Sequence, residues 1–126
     1  VKGREVWRPL APSILEEYLD EFVVGAIKQP YYMILAYQAS ERALREIPAT
    51  VHVDGTLRPQ AVQIRHNRPY WELISAFHEL TGVPAVLNTS FNLAGEPIVM
   101  TPQDAIGTFF RSGMDYLVLG DLLIWK

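Results

Sequence analysis

Apolar positions along the chain follow two rhythms, one helical and one extended. After Ser13, a polar N-cap residue, the positions Ile14, Leu15, Tyr18, Leu19 and Phe22 recur at helical spacing. Glu16 and Glu17 fall where the first turn of that helix would be, the end at which its dipole favours acids. This pattern predicts an amphipathic helix beginning at Ser13. The run 31–37 that follows Pro30 is compactly apolar and predicts a buried strand, with a short helical turn over 40–46 after it. Asp54-Gly55 is a turn pair, so strands over 50–53 and 57–64 are predicted as a hairpin, with Pro59 near a strand start or an edge because it has no ladder donor. Tyr70, Leu73, Ile74, Phe77 and Leu80 predict a helix over 69–80 that stops at Gly82. A strand over 83–87 then runs into the polar stretch Asn88-Thr89-Ser90-Phe91-Asn92. A second capped helix opens at Thr101-Pro102, carries Ala105, Ile106, Phe109 and Phe110 on one face, and ends at Gly113. Two final strands, 116–119 and 122–125, flank Gly120-Asp121.

Strands and helices interleave without strict alternation, which predicts an α/β fold on a twisted, mixed parallel and antiparallel sheet with flanking helices. At 126 residues and 14.3 kDa the chain has the length of one domain, residues 1–126. It contains no internal repeat and no low-complexity segment. Apolar residues make up 49% and charged residues 20%, enough apolar surface to offset the entropy of ordering, so general disorder is excluded. No apolar stretch approaches the roughly 20 residues that span a bilayer, and no leader pattern is visible. A cytoplasmic location without membrane attachment is expected. The absence of cysteine removes disulfides, thiolate zinc sites and thiol nucleophiles from consideration. A start at Val1, directly into a charged motif, predicts a fragment of something larger.

A formal charge of -3 argues against duplex nucleic acid as the main partner, since such proteins neutralise phosphates with a basic surface. The local pattern is different, because eight of the eleven basic residues are arginine, whose planar fork matches carboxylate or phosphate. Lys2, Arg4 and Arg8 place three cations within seven residues and form either an anion site or a solvated basic end. Asn88-Thr89-Ser90-Phe91-Asn92 lies where a strand gives way to irregular chain, the usual place for ligand contacts in open α/β sheets. Its hydroxyls and amides suit either phosphate binding or backbone capping. Ser90 lacks the flanking glycines of a nucleophile elbow, so a serine hydrolase is not supported. His52 and Asp54 share a side if their segment is a strand, but one histidine and one carboxylate make an incomplete metal site. Arg58, just past the turn, is the better candidate for a functional contact, and a structural salt bridge would also account for it. No Walker loop and no Gly-x-Gly-x-x-Gly occurs.

Six blocks in order carry a resemblance. They are Lys2-Gly-Arg-Glu-x-Trp-Arg-Pro-x-Ala-Pro-Ser, Val51-His-Val-Asp-Gly-Thr-x-Arg-x-Gln, Thr81-Gly-Val-Pro, Leu87-Asn-Thr-Ser-Phe-Asn-x-x-Gly-Glu-Pro-Ile-Val, Thr101-Pro-x-Asp-Ala and Leu119-Gly-Asp. Together they resemble the C-terminal domain of the carbamoyltransferases that include the nodulation protein U type and the enzymes of the tobramycin and cephamycin pathways. The resemblance implies a fold similar to the threonylcarbamoyl-adenylate synthase module. It implies a domain that takes carbamoyl phosphate and ATP, with Mg2+ accompanying the nucleotide, and makes carbamoyl adenylate. It further implies a preceding domain of the actin-like ATPase superfamily in the same chain, which holds a catalytic metal and passes the carbamoyl group to an acceptor hydroxyl. Position by position, it puts Lys2 and Arg4 at the phosphates with Arg8 behind them, Arg58 and Ser90 in catalytic contact, and Asn92 beside Ser90 in the binding set. His52 remains open among phosphate orientation, contact with the preceding domain, and packing. Two other readings compete, a non-catalytic nucleotide- or RNA-binding module and a structural interface domain.

Overall fold

The computed structural model describes residues 9–25 and 30–126. The chain divides into two compact units, Pro9–Thr89 and Ser90–Lys126. The first contains β1 (Ala11–Leu15), α1 (Leu19–Phe22), β2 (Val23–Val24), β3 (Tyr37–Ala39), α2 (Glu41–Glu46), β4 (Thr56–Leu57), β5 (Gln60–Val62), α3 (Arg68–Thr81) and β6 (Ala85–Asn88). The second contains α4 (Pro102–Arg111), β7 (Tyr116–Leu119) and β8 (Leu122–Trp125). The expected α/β class with mixed strand pairing is observed. β1 lies between β5, which it pairs in parallel, and β6, which it pairs antiparallel. A second small sheet has the order β2-β3-β4 and is antiparallel throughout.

The helix expected from Ser13 is corrected. Residues 11–15 form the central strand β1, and a single 3-10 turn, Glu16–Tyr18, leads into the four-residue α1. The apolar positions were the right ones, since Ile14, Leu15, Leu19 and Phe22 are all buried. A strand covered on both faces hides consecutive residues, so it mimics part of a helical stripe. Ile14 joins Leu19, Phe22, Val23 and Leu57 in one core cluster, whereas its neighbour Leu15 joins Val62 and Ile74 in another.

The buried strand expected over 31–37 is also corrected. Tyr32 and Ile34 are each 77% exposed, Met33 has a φ of 53°, and extended pairing begins only at Tyr37. A left-handed backbone at Met33 ends any extended run through that position. The hairpin expected around Asp54-Gly55 is replaced by a tight turn. His52 N donates to Thr56 O at 2.7 Å and Gly55 N donates to His52 O at 3.0 Å, with Gly55 at φ 78°. Thr50 belongs to a 3-10 helix, Pro48–Thr50, and the two strands after the turn enter different sheets. Pro59, buried between β4 and β5, supplies no ladder donor at the point where the chain changes sheets.

The two longer helices follow their sequence signals. Asn67 caps α3 by accepting from Tyr70 N, and Gly82, at φ 78°, closes it by donating to His78 O at 2.8 Å. Thr101 and Asp104 form a reciprocal capping box at the start of α4. In the first unit Arg42 links three elements. It donates to Glu46 on its own helix, to Glu21 on α1 and to Gly82 O beyond α3, and its guanidinium lies 4.8 Å from the centre of the Phe22 ring. The hydrogen bond from Arg42 is the leading reason that the Glu46 carboxyl titrates below its ordinary range. No helix among the described residues is long and apolar enough to cross a membrane.

Candidate functional site

In the first unit the candidate residues cluster on the turn that precedes β4. The Thr56 hydroxyl donates its one proton to Asp54 Oδ1 at 2.7 Å, so its oxygen accepts from His52 Nδ1 at 3.1 Å. Thr56 N also donates to Asp54 Oδ1, at 3.0 Å. The neutral His52 ring then carries its proton on Nδ1. Nε2 is buried and makes no hydrogen bond among the described residues. The Asp54 carboxyl is held below its usual range, chiefly by the Thr56 hydroxyl and then by the Thr56 backbone N–H, with the charge of His52 a smaller cause. Thr56→Val removes the first of these donors, and the Asp54 carboxyl is expected to titrate at higher pH in that variant, read by carbon NMR of the side chain. An unmoved titration would show that the hydroxyl does not hold the carboxylate.

Two residues beyond Thr56, Arg58 projects from the end of β4. It is exposed, and its Nη1 donates to Met33 O at 2.9 Å. Arg42, Arg45, Arg68 and Arg111 each face a glutamate, but among the described residues no carboxylate pairs with Arg58. A guanidinium positioned by a neutral carbonyl keeps its full charge and its remaining N–H donors for another group. The salt bridge that was the alternative reading of this residue is not formed among the described residues.

Ser90 and Asn92 lie together in the second unit. Ser90 Oγ donates to Asn92 Oδ1 at 2.6 Å, and Asn92 Nδ2 donates to Glu96 O at 2.8 Å. Val99 N donates to Phe91 O at 3.0 Å and Arg111 pairs with Glu96 at 3.0 Å, so the loop is tied both to itself and to α4. Lys2, Arg4 and Arg8 lie outside the described residues. Among the described residues no group of three or more histidines and acids could hold a metal ion.

One polar constellation escaped sequence reasoning. Ser13, expected as a helix cap, is fully buried in β1 and donates to Gln60 Oε1 at 2.8 Å. Asn88, the first residue of the polar stretch, donates to Ser13 Oγ at 2.9 Å and to Gln60 Oε1 at 2.8 Å, and Gln60 Nε2 reaches Tyr31 O at 3.2 Å. The three side chains join all three strands of the sheet just where β6 ends. Of the two roles open to Asn88, this bonding is structural. The motif positions were visible in the chain, but their mutual contact was not. Ser13→Ala is expected to cost about 1–3 kcal/mol, because it deprives a half-buried amide of a partner. Urea denaturation measures this, and an unchanged midpoint would show that the triad adds nothing to stability.

The whole chain, residues 1–126, matches the family model described as carbamoyltransferase C-terminus. The chain belongs to this family. It is 45% identical over 128 residues to nodulation protein NolNO of Sinorhizobium fredii, an alignment covering 100% of this chain and 19% of the relative. It is 32% identical over 121 residues to the 3'-hydroxymethylcephem-O-carbamoyltransferase of Amycolatopsis lactamdurans, covering 96% of this chain and 23% of that enzyme. An uncharacterized protein of Methanocaldococcus jannaschii is 38% identical over 123 residues, covering 98% of this chain and 24% of that protein. This carbamoyltransferase C-terminal chain thus spans about a fifth to a quarter of the length of these curated relatives. The family resemblance read from the six motif blocks is borne out, and those blocks include the turn of His52 and Arg58 and the loop of Ser90 and Asn92.

Proposed function

We propose that this chain is the carbamoyl-adenylate-forming part of an O-carbamoyltransferase. It binds carbamoyl phosphate and ATP, and a preceding domain of the actin-like ATPase superfamily carries out transfer to the acceptor hydroxyl. The observation that carries this reading is Arg58, a cation without a carboxylate partner among the described residues, held by Met33 O within a motif block of the carbamoyltransferase family. In the proposed reaction one water is consumed, phosphate leaves carbamoyl phosphate, pyrophosphate leaves ATP, and the carbamoyl group ends on an oxygen of the α-phosphate. Negative charge accumulates on phosphate oxygens throughout, so positioned cations in a water-poor site lower the barrier more than solvent does.

Arg58 is assigned to a phosphate, and Lys2, Arg4 and Arg8 are assigned to phosphate binding by their own motif block. Ser90 and Asn92 supply a hydroxyl and an amide, and His52 orients the group that meets its Nε2. No side-chain nucleophile is needed, which agrees with a chain without cysteine. Mg2+ arrives with the nucleotide, and the metal of the transfer step belongs to the preceding domain. Calorimetric titration of the full-length protein with carbamoyl phosphate and with ATP, coupled to an assay of pyrophosphate release, tests the reading. Saturable binding of both ligands with carbamoyl-phosphate-dependent release of pyrophosphate is expected. Binding of neither ligand would overturn it.

A further inference from the structure

β7 and β8 pair antiparallel in the register Tyr116↔Trp125, Leu117↔Ile124, Val118↔Leu123 and Leu119↔Leu122. Side chains alternate across a strand, so Tyr116, Val118, Leu123 and Trp125 share one face of this two-stranded sheet. Their exposures are 68%, 67%, 55% and 66%. On the opposite face Leu117, Leu119 and Ile124 are partly buried, and only Leu122, beside the turn, stays open. The Lys126 ammonium fastens the end of the hairpin to α4, donating to Ser112 O at 2.5 Å and lying 4.8 Å from the centre of the buried Phe109 ring. The sheet is therefore anchored at its end while one entire face is left to solvent.

Two aromatic and two aliphatic side chains in contiguous cross-strand pairs, with the charged residues Asp115, Asp121 and Lys126 only at the ends, have the composition of an interface core within a polar rim. A hairpin of two strands is marginal in water unless something covers it. A phosphate is disfavoured as the occupant, since this face carries no charged side chain to compensate the loss of its hydration. Relatives of this chain extend to four or five times its length, and the matching family is a C-terminus, so the bulk of such proteins precedes this region. A tethered domain meets the face at an effective concentration on the order of millimolar, well above that of a second copy in dilute solution.

We infer that the face formed by Tyr116, Val118, Leu123 and Trp125 is the surface on which the preceding part of the full-length protein docks. The inference rests on the proposed presence of a preceding domain but not on the carbamoyl chemistry. Val118→Cys in the full-length protein, with Arg45→Cys as an exposed reference, is treated with a maleimide and labelling at each position is followed by peptide mass. Position 118 is expected to react at least ten-fold more slowly than position 45 in the folded protein and at the same rate in denaturant. A benzophenone maleimide at 118 is expected to cross-link to segments that precede this chain. Equal labelling rates, or cross-links to residues 9–89 or to an isotopically marked second copy, would overturn the inference. Hydroxyl-radical footprinting of the unsubstituted protein gives an independent reading. Tyr116 and Trp125 should be protected while Tyr32 is oxidised freely, and full oxidation of all three counts against docking. Loss of pyrophosphate release with protection retained would sink the functional reading and leave the docking surface standing.

Discussion

Arg58→Ala in the full-length protein is expected to weaken carbamoyl phosphate binding by roughly thirty-fold or more, equivalent to about 2 kcal/mol, the scale of a lost hydrogen bond to a charged group. The effect is expected to fall on binding and rate rather than on stability. Arg58 is exposed, and among the described residues its side chain's one hydrogen bond is to Met33 O. Arg58→Lys should recover part of the loss, since it restores charge without the two-pronged donor geometry. Arg65→Ala provides the control. Arg65 is also exposed and its Nε donates to Gln63 Oε1, so it shares charge and surface position with Arg58 but lies outside the motif blocks. Calorimetric titration of the three variants distinguishes a specific contact from a general field, because a field effect would weaken binding about equally in Arg58→Ala and Arg65→Ala. Unchanged affinity in Arg58→Ala would remove the main support for the proposed function.

Phe22→Ala is expected to destabilise the protein by about 3–5 kcal/mol, the usual cost of deleting a large buried aromatic together with the cavity it leaves. Phe22 has no exposed surface and packs among Ile14, Leu19, Val23 and Leu57, residues drawn from β1, α1, β2 and β4. Its ring also lies beneath the Arg42 guanidinium, so the deletion removes the platform of the cation that joins α1, α2 and the end of α3. Leu80→Ala, at a position 86% exposed on α3, should change stability by under about 0.5 kcal/mol. Urea unfolding of both variants measures the contrast. Comparable shifts in the two would mean that Phe22 does not anchor the core.

These outcomes depend on features that were unequally legible in the chain. α3 and α4 were readable because their apolar positions recur at helical spacing and because Gly82 and Thr101 act within a residue or two of the helix ends they cap. β7 and β8 were readable for the same reason, since the Gly120-Asp121 turn pairs adjacent strands. The capping by Asn67 and Asp104 emerged only in the folded chain. Ser13 was misread because a buried central strand and a helical stripe select the same apolar neighbours, and the deciding contact with Gln60 lies 47 residues away. The 31–37 run was misread because hydrophobicity alone does not supply a strand partner. Arg58 was picked out by its motif, but its hydrogen bond to Met33 O, with no carboxylate partner among the described residues, required the folded loop.

The amino-acid order by itself determined the family and the residues worth testing, through six ordered motif blocks, and the two capped helices and the closing hairpin, which depend on forces acting across a few neighbouring positions. Only the tertiary structure decided that residues 11–15 form the middle of a mixed sheet, that Ser13, Gln60 and Asn88 share one polar cluster, and that Thr56 connects His52 with Asp54. Tertiary structure also decided which face of the final hairpin stays open. Strand pairing and burial are set by segments far apart in the chain, and local propensity carries no information about which of them will meet.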